Sequence, residues 1–411
     1  MSETLVVGAG MVGVCTALEL QSRGHKVTLV DRTEPGTETS YGNAGIIMAD
    51  MAEPFAMPRD WSTLLTFALG QSNDVKWSAR GLLKLAPHLV RYFQNSSQAR
   101  HAQISNVNAQ LALHATDDHA PLIQASGSGS LISKDGFCEV YRDGRAFEAA
   151  SKDTERLMST YGVRARILEG KVFHAEEPAF LTTPEGAVHW QNCWSCNDPG
   201  GLTAAYSQLF SKRGGSILTG DAKTLKESSR CWQIETTSHS VIAEHVVIAL
   251  GPWSAEFLTG FDYRVPMIPK RGYHMHFSAP RQPKRPFLDT QNGVLVSAMK
   301  KGLRLTSGVE LVPQDAAAND VQLRHGVAGV KQLVELGERV SEPLWFGARP
   351  CMPDMLPMVG AAPRRKNMWF NFGHGHQGFT LGPTTARVLA DAMDGMPSPL
   401  VEALSPSRRP H

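Results

Sequence analysis

Apolar and polar positions along this chain follow two periods, and the change from one to the other marks its organisation. The opening "TLVVGAG" is a continuous apolar run and predicts a buried strand. "MVGVCTALELQSRG" repeats its apolar positions at helical spacing, and "HKVTLVDR" returns to a strand. "TEPGTETSYGNAGII" then reads as a loop dense in Gly, Thr, Ser and Asn. Residues 55 to 125 are predicted mostly helical, as in "STLLTFALG" and "GLLKLAPHLVRYF". "RAFEAASKDTERLMSTYG" and "GLTAAYSQLFSKRGG" predict two more helices. "SILTGDAKTLKES" reads as a strand, followed by the alternating "CWQIETTSHSVIAEHVVIALG".

From about residue 262 the pattern turns to short alternating strands: "YRVPMIPKRGYHMHFSA", "GVLVSAM" and "LRLTSGVEL". Alternation over successive short strands predicts an antiparallel sheet with one wet or ligand-facing side. A helix, "LRHGVAGVKQLVELGERV", leads to "FGARPCMPDMLPMVGAA". The chain then closes on strand, glycine-rich loop and helix, "WFNFGHGHQGFTLGPTTARVLADAM". The predicted class is α/β, α+β overall: a Rossmann-like domain of discontinuous segments with an inserted antiparallel-sheet domain. The segments expected in the nucleotide-binding domain are 1–50, 140–170, 200–258 and 343–405. Those expected in the substrate domain are 51–139, 171–199 and 259–342.

The 411 residues suit about two domains, and 42% hydrophobic residues suffice for a sizeable core. A net charge of +2 gives no field for nucleic acid. No apolar run of about 18 residues is present to span a membrane. Six scattered cysteines in a long chain fit a reducing compartment, so the expected location is cytoplasmic. Cys193 and Cys196 form one C-x-x-C. Without a second pair or suitably spaced histidines it reads as two ordinary thiols flanking a turn rather than as zinc or a redox dithiol.

Gly8, Gly10 and Gly13 form G-x-G-x-x-G between a strand and a helix. The first permits the turn, the second lets backbone approach a pyrophosphate, and the third lets helix and sheet pack closely. Met11 and Val12 lie in the same turn. Asp31, ending the second strand, offers a carboxylate to ribose hydroxyls, and Arg32 follows it. The loop Thr39, Ser40, Asn43, Ala44, Gly45 and Ile46 offers backbone amides to the middle of an extended dinucleotide. Ala222 and the strand end Leu250, Gly251 and Trp253 are placed to pass near it. Contacts along so much length favour FAD over a diffusing nicotinamide.

The blocks "VVGAGMVGVCTALEL", "TSYGNAGII", "VVIALGPWS", "PKRGYHM", "GARPCMPDMLPMVG" and "GHGHQGFTLGPTTARVLAD" resemble, in order, those of the FAD-dependent D-amino-acid dehydrogenases. These belong to the wider group of D-amino-acid, glycine and sarcosine oxidases. The resemblance spans essentially the whole chain. It implies that backbone amides of Gly375, His376, Gln377, Gly378, Phe379 and Thr380 face the redox end of the flavin. A helix N-terminus there stabilises the negative charge of the reduced ring. It also implies that Arg349 pairs with the substrate carboxylate, for which a planar guanidinium is suited.

On the strand "PKRGYHMHF", Arg271 and Tyr273 share one face, and Gly272, His274 and His276 the other. One of these faces is expected to line the active site, and alternation does not say which; Arg271 and Tyr273 are catalytic candidates, with His374 at the flavin and Tyr41 and Asn43 near the ring. A tyrosine that some relatives use to hold the carboxylate is missing, the region reading "QNGVLVSA". The cysteine that carries covalent flavin in sarcosine oxidases aligns with Gly347, so non-covalent FAD is expected. A metal site from His274, His276, His374 and His376 is not expected.

The implied reaction is hydride transfer from Cα of a D-amino acid, giving an imino acid, then a 2-oxo acid and ammonia. Electrons pass to a quinone or other carrier, or alternatively to O2. A secondary amino acid such as D-hydroxyproline, sarcosine or glycine is an alternative substrate. A flavin-binding subunit of a heteromeric complex is an alternative role. The segment from Trp61 to Arg91, with Trp61, Trp77, Lys76, Arg80 and Lys84, reads first as an apolar face turned to the core, with a peripheral contact on the inner membrane face as the alternative. The sequence sets no oligomeric state.

Overall fold

The computed structural model describes residues 2–228 and 231–408. The strand β1 (Glu3–Val7), the helix α1 (Met11–Ser22) and the strand β2 (Lys26–Asp31) form where the apolar pattern places them. They seed a six-stranded sheet in the order 216–219, β2, β1, 245–248, 368–372, 358–361. The first five strands are parallel and the last is antiparallel. Parallel strands covered on both faces read as unbroken apolar runs, as β1 does. On one face, α1, Pro199–Lys212 and Gly378–Met393 bury Val14, Leu18, Leu202, Phe210 and Leu389. On the other, a three-stranded antiparallel layer buries Trp232 and Ile234 against Val7 and Ile248.

A ten-stranded sheet forms the second body. At its centre Ile268–Phe277 pairs antiparallel with Gly302–Thr306 and with Trp345–Cys351. The 140–170 stretch, expected with the nucleotide-binding segments, belongs here instead. Phe137–Tyr141 and Ala165–Glu169 both pair with Gly186–Trp190, and the helix Gly144–Tyr161 packs over them. Likewise the chain rejoins the first sheet at Met358, not at 343, because 345–351 is spent pairing with 268–277. The helices Gln98–Ala112 and Ala115–Ser126, expected in the substrate domain, bury Leu111, Ala115 and Ile123 in the first body's core. Periodicity identifies a strand or a helix face but does not say which neighbour covers it.

Two predicted strands divide. "SILTGDAKTLKES" gives Ser216–Thr219 and Lys226–Ser228, separated by a short 3-10 turn whose Asp221 side chain accepts from the Lys223 N–H. "CWQIETTSHSVIAEHVVIALG" gives a hairpin, 231–235 with 240–243, and then the central strand His245–Ile248. The predicted helix near 323–340 ends at Val330.

Candidate active site

The site begins at the turn between β1 and α1. Gly8 adopts a φ of +110°, and a Cβ on Gly13 would lie 1.8 Å from the Gly8 carbonyl oxygen, so helix and strand meet only through glycine. The Ala9 N–H donates to Asp31 Oδ2 at 2.6 Å, and the Met11 N–H donates to Ser40 Oγ at 2.9 Å. Asp31 thus braces the turn from the end of β2. Arg32 pairs with Glu38 and lays its guanidinium 4.5 Å from the centre of the Trp253 ring. The N-terminus of α1 carries amide groups free of intrahelical partners, which suit an anionic ligand.

From this turn a cavity of about 1600 Å³ runs past Ser40, Asn43, Ala44 and Ile46 to His374 and Arg349. Of the residues expected at the cofactor, Gly8, Gly10, Met11, Val12, Asp31, Arg32 and Thr39 line it. So do Ala222, Leu250, Gly251, Trp253, Gly375, His376, Gly378 and Phe379. Gly13, Gly45, Gln377 and Thr380 stand behind its wall and shape it. Gly45 has a φ of +74°, and a Cβ there would lie 2.1 Å from the Cys196 carbonyl oxygen. Thr380 Oγ1 accepts from the Met48 N–H at 3.1 Å and donates to the Ile46 carbonyl, tying the middle loop to the 378–393 helix. Gln377 is buried, and its side-chain amide nitrogen has no partner.

At the far end, the paired strands 268–277 and 345–351 place Lys270 opposite Arg349 and Gly272 opposite Gly347. The Arg349 guanidinium lies across Gly272, where a Cβ would approach its nitrogens to 2.5 Å. Its Nη1 donates to the Gly308 carbonyl at 2.9 Å and its Nη2 to the Ser307 carbonyl at 3.1 Å. Among the described residues no carboxylate forms an ion pair with it, and burial lowers its pKa from the usual arginine value. It is half-buried and lines the cavity. The Gly375 N–H donates to the Pro350 carbonyl at 2.9 Å, and Cys351 bridges His374, so the strand bearing Arg349 is fastened to the loop before the 378–393 helix.

Arg271 and Tyr273, the catalytic candidates on this strand, point the other way. Arg271 donates to the carbonyls of Pro313, Gln314 and Ala316, and Tyr273 hydrogen bonds Glu310. Tyr273 packs in the second body's core with Met275 and Phe277. The cavity face carries Lys270 and Gly272. Lys270 escaped sequence reasoning although alternation puts it on the Gly272 face. The usable signal was Gly272 itself: a glycine inside a strand marks a close approach by another group.

His374 lines the cavity, and its Nε2 and Thr385 Oγ1 share a hydrogen bond of 2.9 Å. Burial pushes its pKa down to about 3. Burial also holds His376 well below the usual histidine value, with the Arg349 and Lys270 charges adding to the effect. Both rings are neutral near pH 7. His274 and His276 lie apart from them, with Glu342 as a third possible ligand. His276 is held on one side by Glu342 and on the other by the Arg304 Nε–H at 3.0 Å. A guanidinium seated there repels a cation, so this trio is a buried polar network. Tyr41 stacks among Lys301, Arg304 and His274 rather than on the cavity wall. Cys193 and Cys196 are both buried free thiols. Burial raises the pKa of each, Cys196 to about 12, and a redox dithiol needs a thiolate.

A pocket for a drug-sized ligand measures about 300–1,000 Å³, so this cavity has room for a long dinucleotide and a small substrate beside it. Helix N-termini stand at both ends. The buried Asn371 Oδ1 on its wall has no hydrogen-bond partner among the described residues. The residues present therefore fit an extended flavin dinucleotide, and the fold and site together define a dinucleotide-dependent oxidoreductase. The comparison with known proteins makes the class specific: the profile of the FAD dependent oxidoreductases matches residues 3–392. The chain belongs to that family and is an FAD-dependent enzyme. It is 28% identical over 409 residues to a D-amino acid dehydrogenase of Chromohalobacter salexigens, covering 96% of each chain. It is also 28% identical to a D-amino-acid oxidase of Bradyrhizobium diazoefficiens, covering 98% of each. The crystal structure of glycine oxidase from Geobacillus kaustophilus shares its fold, with a TM-score of 0.75 and 19% identity over the full length of both chains.

Proposed function

We propose that this enzyme oxidatively deaminates a D-amino acid whose carboxylate is held by Arg349. The observation that carries the reading is a guanidinium beside the cavity with two carbonyl partners and no acid. A buried charge is costly unless a counter-charge arrives, and an arginine fork matches a carboxylate bidentately. Ser307, Gly308 and Gly272 fix its direction, which fixes the substrate's Cα. Gly8, Gly10 and the start of α1 hold the pyrophosphate, Asp31 braces that turn, and Arg32 with Trp253 borders the adenosine end. The first amides of the 378–393 helix meet the redox ring, where they favour the negative charge that reduction adds.

Bound FAD supplies a two-electron acceptor for the hydride leaving Cα, after which water converts the imino acid to a 2-oxo acid and ammonia. The protein's part is orientation and electrostatics: neutral His374 and His376 wall the site and add no charge of their own. No cysteine occupies the position that carries covalent flavin in sarcosine oxidases, which supports non-covalent FAD. Anaerobic bleaching of the flavin against D- and L-amino acids, glycine, sarcosine and D-hydroxyproline tests the reading. D-amino acids bleach it fastest; a flavin that none of the panel reduces sinks it.

No helix among the described residues is long and apolar enough to cross a membrane. The helices α2 (Trp61–Ala68) and α3 (Ala79–Asn95) favour a peripheral seat on an anionic membrane, from which a quinone takes the electrons. On α2, Leu64 and Phe67 line the cavity while Trp61 is 82% exposed. Leu65, Leu69 and Leu83 are exposed in the same stretch of chain, which also carries exposed Arg80, Lys84 and Arg91. Exposed apolar side chains interspersed with basic ones suit anionic headgroups. Flotation with phosphatidylserine vesicles should carry the protein upward, and Trp61→Ser with Leu65→Ser should release it. Wild-type protein left at the bottom of the gradient rejects the seat.

A further inference from the structure

Lys270 is a second cation on the same wall. It faces Arg349 across the strand pair, lines the cavity, and has no carboxylate within ion-pair distance among the described residues. Its Nζ lies 3.3 Å from Tyr92 Oη and 4.3 Å from the centre of that ring. The Tyr92 hydroxyl donates to the Phe55 carbonyl, so its oxygen accepts from Lys270. A lysine ammonium has three donors, and the aromatic face offsets only part of its desolvation.

The two cations lean apart. Arg349 reaches along the strand over Gly272 toward Ser307 and Gly308. Lys270 reaches the opposite way, toward Tyr92, which packs with Ile268 and Cys351. Directly opposite residues on paired strands have Cβ atoms about 4.5–5.5 Å apart, and from there the two heads go to partners on opposite sides, the Ser307 and Gly308 carbonyls for one and Tyr92 for the other. The neighbouring histidines are neutral, so the positive charge of this end belongs to these two groups. A substrate with one carboxylate satisfies one of them and leaves the other buried beside a like charge, which is unfavourable.

Resting on the amino-acid reading above, we infer that the substrate is a dicarboxylic D-amino acid, its α-carboxylate on Arg349 and its side-chain carboxylate on Lys270. D-aspartate and D-glutamate have this chemistry. Their amides, D-asparagine and D-glutamine, have the same shape without the second charge and are the proper controls.

Two measurements on the FAD-loaded enzyme test this. In anaerobic stopped flow, the efficiency of flavin reduction by the better of D-aspartate and D-glutamate should exceed that of its amide at least tenfold. Lys270→Met should bring that ratio close to one, and Lys270→Arg should keep most of it. A wild-type ratio near one overturns the inference, as does a preference that survives in Lys270→Met. An equal loss on acid and amide also overturns it, because Lys270 would then serve the α-carboxylate. Flavin absorbance titrated with succinate and with butyrate needs no turnover. Succinate should perturb the spectrum at concentrations at least tenfold lower than butyrate. If no amino acid of any kind reduces the flavin, the deamination reading fails by itself, and this titration still decides: equal affinities remove the two-anion site, a succinate preference retains it.

Discussion

At the scale of single residues, two side chains carry most of the electrostatic argument. Arg349 has carbonyl partners only, so its role is visible through what it lacks. Truncating one partner of a buried charge pair costs about 2–5 kcal/mol. In Arg349→Met, kcat/KM for the preferred amino acid should therefore fall by about two to three orders of magnitude, with the flavin content of the purified protein unchanged. Loss of flavin with normal turnover in the remainder would reassign the residue. His119 is a structural counterpart. It is fully buried, bonds Tyr206 through Nδ1 and the Phe379 and Thr380 carbonyls through Nε2, and burial lowers its pKa to about 4. An unfolded histidine titrates near 6.5. Between those values the unfolded chain binds a proton that the folded one refuses. The stabilising contribution is thus complete above about pH 6.5 and declines as pH falls toward 4. The melting temperature should fall across that window, and His119→Gln should flatten the slope; an unchanged slope would mean that the ring titrates normally.

At the scale of elements, the pairing of 268–277 with 345–351 aims both cations into the cavity. A one-residue shift in register would turn Arg349 away from the cavity and bury it in the sheet. Gly272 is the point where this pairing meets the chemistry, because the guanidinium occupies the space of its missing side chain. Gly272→Ala should raise KM for the amino acid at least tenfold while flavin binding and the melting temperature stay close to wild type. An unaltered KM would show that Arg349 reaches its partner by another path. The element scale is also where sequence reading went astray. Alternation in "PKRGYHMHF" separates its two faces cleanly without saying which one lines the cavity, and the candidates Arg271 and Tyr273 do not line it. The face with the glycine and the lysine lines it instead. Both faces of that strand carry polar groups and both are buried, so polarity cannot tell them apart. The Arg271 charge is satisfied by a loop some forty residues on, which no local pattern reveals.

At the scale of the whole molecule, the cavity that fits the cofactor lies between two bodies. It is lined by β1, α1 and β2 of the first sheet and by strands 268–277 and 345–351 of the second. A ligand that binds only the folded state stabilises it in proportion to the logarithm of its concentration over Kd. Removing FAD should therefore lower the melting temperature, and adding it back should raise the midpoint steadily with FAD concentration. A midpoint indifferent to FAD would deny it the position between the bodies. The sequence by itself determined the glycine turn, the acid that ends β2, and the closing loop and helix, while the family resemblance singled out Arg349, which lines the cavity. Each of these depends on local backbone geometry or on a residue type that its chemistry demands. Only the tertiary structure decided that 140–170 joins the large sheet, that the 98–126 helices cover the first, and that Lys270 rather than Arg271 lines the cavity. Those outcomes depend on which surfaces meet across long stretches of chain, and an apolar or charged face records that it needs a partner without recording which one.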